Sequence, residues 1–158
     1  MFREVARTKQ ALPIEESIEI LKTAKRGVLS VLGDDGYPYG MPLNHWYNEE
    51  DGKLYFHSGK TGHRTDAMRS CEKASFCVMD EGTPVEGEWW LKFRSVIVFG
   101  KIEIIEDHAQ ALDISRKLSH KFTQDEAYIQ HEIEHSGPGV LVFALVPEHI
   151  TGKSVTER

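Results

Sequence analysis

Gly36 to Arg64 reads GYPYGMPLNHWYNEEDGKLYFHSGKTGHR, and the rest of the chain takes its meaning from this run. Its pattern predicts two strands, Tyr37 to Tyr47 and Lys53 to His57, joined by the tight acidic turn Asn48-Glu-Glu-Asp-Gly52. Pro38 and Pro42 bring no ladder donors, so the first strand is expected at a sheet edge or bulged. An irregular edge of that kind exposes backbone groups to a planar ligand; equally, the prolines protect the edge from pairing. The second strand runs into Ser58-Gly59-Lys60-Thr61-Gly62-His63-Arg64, followed by a helix near 65–70. Small residues, hydroxyls, three potentially cationic side chains and a helix N-terminus together suit a bound anion, most simply a phosphate. A solvated strand-to-helix connection fits the same residues.

The chain has 158 residues, enough for one domain (1–158, core about 10–153) with a real core. It is 40% hydrophobic and 28% charged, ordinary for a globular protein. No apolar run approaches the roughly 20 residues of a membrane helix, and the N-terminus lacks the apolar stretch of a signal peptide. Cys71 and Cys77 alone indicate no disulfide framework, so a cytoplasmic location is expected. A formal charge of −6 argues against a nucleic-acid partner. It also makes cations gathered near 60–64 and 92–101 a local feature.

Around the opening stretch, apolar spacing predicts a first helix over 13–25, with Ile14, Ile18 and Leu21 on one side. Strands follow at 28–32, closed by the turn Gly33-Asp-Asp-Gly36, and at 74–79. A long β segment covers Trp89 to Ile105, with Gly100 as its bend. Asp107-His-Ala-Gln110 has capping-box spacing and opens a helix to about Lys121, with Leu112, Ser115, Leu118 and Phe122 on one side. A shorter helix covers about 125–135, and the final strand runs from Val140 to Val146 before a polar tail. This order favours a small antiparallel barrel with short helices, mainly β, over a doubly wound sheet.

Two motif matches are set aside as architectures, although Gly59-Lys60-Thr61 still suits a phosphate. His131-Glu-Ile-Glu-His135 fits H-E-x-x-H, but a glycine–proline break follows at once and no third ligand lies on a nearby helix; no metal is expected. Gly59-Lys60-Thr61 echoes the end of a nucleotide-binding loop, yet Leu54 stands where that loop needs glycine. Cys77, in an apolar strand, reads as core, and Trp89 and Trp90 read as neighbours on opposite faces of a strand.

Leu54-Tyr-Phe-His-Ser-Gly-Lys-Thr-Gly-His-Arg64 and Phe93-Arg-Ser-Val-Ile-Val-Phe-Gly100 together resemble the flavin-binding split-barrel family of pyridoxamine 5′-phosphate oxidase, in particular its nitroimidazole-resistance branch. Tyr39-Gly-Met-Pro-Leu-Asn44 and Ile150-Thr-Gly-Lys153 add to the likeness, which covers roughly residues 10–153. The resemblance implies an antiparallel Greek-key split barrel and a homodimer with a flavin mononucleotide (FMN) site at each side of the subunit interface. It implies that Pro42, Leu43 and Asn44 lie along the flavin ring, and that His57 and Ser58 approach the ring edge or the ribityl phosphate. Lys60, His63 and Arg64 match the positions that hold phosphate, and Arg94 and Ser95 would reach in from the partner. His57 matches the active-site histidine of the resistance branch; a strand-end histidine bonded to backbone is the other reading.

The oxidases of the family carry a C-terminal extension with a tryptophan and an arginine that grip the vitamin substrate. Here Gly152 to Arg158 contains no tryptophan, so pyridoxamine phosphate oxidation is not the expected activity. The expectation is an FMN-dependent reductase that takes hydride from a reduced nicotinamide and passes it to a small acceptor, nitroaromatic or quinone-like. A flavin or haem carrier, a redox sensor, or a reductase using a deazaflavin remain as alternatives.

Overall fold

The computed structural model describes residues 1–157; Arg158, the end of the expected tail, lies outside the described residues. Among the described residues the order is β1 (Ala11–Leu12), α1 (Ile14–Thr23), β2 (Arg26–Leu32), β3 (Pro38–Asn44), β4 (Trp46–Tyr47), β5 (Leu54–Gly59), α2 (His63–Ser70), β6 (Lys73–Met79), β7 (Thr83–Pro84), β8 (Leu91–Ile105), α3 (His108–His120), α4 (Glu126–Ser136) and β9 (Val140–Thr156). All pairings are antiparallel, in the order β3-β2-β6-β8-β9-β5-β4, with β1 beside β9 and β7 beside β8. The sheet curls into a half-barrel, as the sequence leads one to expect. Among the described residues no helix is long and apolar enough to cross a membrane.

Strand alternation divides the residues between two faces. Leu29, Val31, Met41, Leu54, Phe56, Phe76, Val78, Val96, Val98 and Phe143 point inward and form the main core. Ile20 and Leu21 of α1 and Ala67 and Met68 of α2 join that core, so these two helices sit against the concave side. A second cluster, Tyr55, Ile105, Ile114, Val142 and Ala144, places α3 on the outer side of β5, β8 and β9. Over β2, β6 and β8 the outer face is left uncovered. Val28, Cys77 and Ile97 are register partners across it, and Leu32, Met79 (61% exposed) and Phe99 (40%) extend the apolar surface.

Several expectations need correction. The strand expected over Tyr37–Tyr47 breaks at His45, so β3 pairs with β2 and only Trp46–Tyr47 pairs with β5. The cause is burial: the fully buried His45 ring turns inward, where its Nε2 bonds the Leu21 carbonyl at 2.6 Å. Cys77 is half-buried on the outer face rather than in the core, because Phe76 and Val78 occupy the inner positions. Trp89 and Trp90 precede β8 and pack edge-to-face on each other, Trp89 largely exposed. The tail from Pro147 is not loose: β9 continues to Thr156, paired along β8 past a bulge at Phe99/Gly100. A Cβ on Gly100 would collide with the Val146 carbonyl, which explains a glycine at the bend. On α1 the buried side is Ser17, Ile20 and Leu21, leaving Ile14 exposed. On α3 it is Ile114 and Leu118, leaving Phe122 exposed.

Candidate functional site

The barrel is split between β3 and β5. Beyond the His45 corner these strands do not pair with each other, and β4 reaches only Leu54 and Tyr55. Among the described residues, Phe56 to Gly59 therefore has a ladder on its β9 side only. At the open end Arg64 spans the gap. Its Nε donates to the Met41 sulfur of β3 at 2.8 Å, and an Nη donates to Ser58 Oγ of β5 at 3.1 Å. Both partners are neutral, and among the described residues Arg64 has no carboxylate within ion-pair distance. A half-buried guanidinium whose bonds go to a thioether and a hydroxyl is poorly compensated, and a small anion would complete its shell.

The loop before Arg64 is built to hold it there. Thr65, buried, donates its hydroxyl to the Gly59 carbonyl at 3.1 Å and closes the turn from β5 to α2. Gly62 precedes α2 with φ +117°, a conformation that favours glycine. His63 stacks on Tyr39 with centroids 4.2 Å apart, and its Nε2 accepts from the Asp34 amide at 3.3 Å. It thus docks α2 onto the β2–β3 turn, with the ring proton on Nδ1 in that tautomer. Lys60 is exposed at the loop tip and makes no ion pair among the described residues.

Strand alternation separates residues that sequence order had put together. Ser58 faces inward with Arg64, whereas His57 faces outward, into a cavity of about 230 Å³ under α3 and α4. Leu112, Ile129 and Val140 give that cavity its apolar wall, and Ser115, Tyr128 and Glu132 its polar one. Crowding by these helices, then the charge of Arg64, holds His57 below the usual histidine range although the residue as a whole is exposed. Leu43 packs on the core while Pro42 and Asn44 face outward, exposed, from the edge strand. Ser95 also faces outward on the uncovered surface, but Arg94 points the other way. Its backbone N–H and Nε both donate to Asp80, at 2.9 and 3.0 Å. Burial would raise the Asp80 carboxyl, but these bonds prevail and hold it below its ordinary value. His131 and His135 stack at 6.1 Å on α4, and the described residues contain no cluster able to hold a metal.

A family model described as pyridoxamine 5′-phosphate oxidase matches residues 13–154. The chain belongs to the pyridoxamine 5′-phosphate oxidase family. No curated protein sequence matches it. Solved structures share the family's fold. A candidate 5-nitroimidazole antibiotic resistance protein from Bacteroides thetaiotaomicron aligns with TM-score 0.77 at 19% identity, covering 92% of this chain and 87% of that one. A FAD-binding protein from Mesorhizobium loti aligns at 0.67 and 22% identity, covering 92% and 97%. The flavocytochrome Anf3 from Azotobacter vinelandii aligns at 0.75 and 20% identity, covering 97% and 73%.

For this family member the sequence pattern did not disclose four contributors. Met41 holds Arg64 across 23 positions, Asp80 orients Arg94 across 14, and Tyr128 and Glu132 lie beyond His57 on a distant helix. None carries a local signal; each arises from barrel curvature.

Proposed function

We propose that this protein is an FMN-dependent reductase, active as a homodimer, that moves hydride from a reduced nicotinamide to a small nitroaromatic or quinone-like acceptor. The observation that carries the reading is Arg64, a half-buried guanidinium without a carboxylate partner among the described residues, poised at the two open strand edges of the split barrel. Family membership and relatives described as flavin proteins support it.

The residues present fit the phosphate end of such a cofactor. Arg64 and Lys60 supply positive charge, Ser58 a hydroxyl, and the first turn of α2 amide groups without intrahelical partners. The free edges of β3 and β5 offer backbone donors and acceptors to a planar ring. Bound flavin supplies the two-electron redox chemistry. The chain contributes binding, orientation and a proton-handling group. Burial and the Arg64 charge favour the neutral imidazole of His57, which offers one donor and one acceptor nitrogen. In its cavity it can bond a small acceptor or pass it a proton. The uncovered outer face around Ile97 and Met79, with Ser95 upon it, is the surface a second copy would cover.

The test is FMN affinity of the Arg64→Ala, Lys60→Ala double variant. Each charge-assisted bond is worth about 1.5–3 kcal/mol, so the pair should cost about a hundredfold or more in affinity. Unchanged affinity would remove the phosphate assignment. Loss of reduced-nicotinamide oxidation in His57→Ala with full flavin content would support its role at the acceptor.

A further inference from the structure

The far end of the β8–β9 ladder carries a cavity that the flavin reading does not use. Arg94 pairs with Ser154 and Lys92 with Thr156 in the ladder, so these four side chains share the inward face. Ser95 and Lys153, also partners, face the opposite side. The segment from Arg7 to Pro13 arches over the inward group on one flank, anchored where β1 pairs with β9, and β7 closes the other flank through Thr83. The resulting groove holds about 1030 Å³, room for a nucleotide-sized molecule.

Its charge is the informative part. The chain as a whole is acidic, at −6, yet four cations from two separate segments line this groove: Arg7, Lys9, Lys92 and Arg94. Of the two acids present, Asp80 is taken up by Arg94, and Glu16 lies 3.9 Å from the same guanidinium. Arg7, Lys9 and Lys92 make no ion pair among the described residues. Ser154 Oγ, buried in the wall, has no hydrogen-bond partner among the described residues. Three cations without an ion-pair partner among the described residues line one groove and suit an anion with several oxygens, while Gln10 Oε1, like Ser154 Oγ, is buried in the wall behind them without a partner. A carboxylate offers two oxygens; a phosphate or diphosphate offers more and carries about two charges or more.

The geometry points to this groove as a binding site for a phosphate- or diphosphate-bearing small molecule, distinct from the Arg64 site and on the opposite face of β8 from Ser95. The probe is inorganic pyrophosphate, read as the rise in melting temperature of the full chain and as calorimetric heat. Wild type should be stabilised in a saturable manner that weakens with salt. The Arg7→Glu, Lys92→Glu double variant should melt at the wild-type temperature without ligand but bind pyrophosphate about tenfold or more weakly. Lys92→Gln, which keeps the alkyl stem, should show an intermediate loss. Lys60→Glu should leave the pyrophosphate response in place, which separates this site from the flavin reading. The inference is overturned if wild type shows no saturable response, if chloride at matched ionic strength reproduces it, or if the Lys92 variants respond as wild type does.

Discussion

His45 makes the fold sensitive to acid, by an amount the structure allows one to work out. The ring is fully buried between Phe56 and Phe76, its Nε2–H donates to Leu21 O, and its Nδ1 has no partner among the described residues. Burial first, then the Lys121 ammonium 3.5 Å away, pulls its pKa from 6.5 to about 4. The unfolded chain takes up this proton as pH falls through 6.5, whereas the native state resists until about 4. Stability from the neutral ring is therefore complete above pH 6.5 and lost on the way to pH 4. At about 1.4 kcal/mol for each tenfold difference in proton affinity, the loss is about 3 kcal/mol. The perturbation is His45→Gln, which retains a donor for Leu21 O but cannot titrate. The assay is urea unfolding of both proteins from pH 7 to pH 4, with the other histidines common to each. Wild type should be the more stable at pH 7, and its advantage should shrink by about 3 kcal/mol by pH 4. Parallel pH profiles for the two proteins would mean that His45 does not titrate with unfolding.

Other consequences follow from single contacts. Lys121, which donates to Ala24 O and His45 O and is pulled by burial to about 8, should add stability as pH rises from 8 toward 10.5; Lys121→Met should lack that rise in chemical unfolding. Gly100→Ala drives a Cβ into the Val146 carbonyl and should cost about 2 kcal/mol or more by thermal unfolding, with the β8–β9 bulge the first region to lose amide protection. Asp107→Ala removes the cap on the Gln110 amide, a 2.7 Å bond, and should cost about 1 kcal/mol, recovered in Asp107→Ser.

The elements themselves were legible because the signals are local: alternation in β2, β6 and β8, the capping pattern of α3, and the bend at Gly100 all appear where the sequence places them. The convergence of Ser58 and Arg64 was also legible, since six residues and a tight loop bring them together. What escaped was decided by tertiary contact. His45 breaks a strand because a carbonyl on α1 accepts its proton, and no pattern within 37–47 encodes that carbonyl. His57 and Ser58, adjacent in the chain, face opposite ways once β5 is known to run extended to Gly59. Arg94 and Ser95, named together by the family resemblance, likewise face opposite ways along β8, with Asp80 holding Arg94 on the inner side. The run of β9 beyond Pro147 rests on pairing with β8 rather than on hydrophobicity, so its polar sequence concealed it.

Whether the split barrel holds flavin is decided by the absorbance spectrum of the purified protein, with mass analysis of anything released on denaturation. A flavin spectrum is expected, with a released mass equal to FMN at about one equivalent per protomer, or stoichiometric uptake of added FMN by material isolated without it. A colourless protein that leaves added FMN unbound would contradict flavin binding.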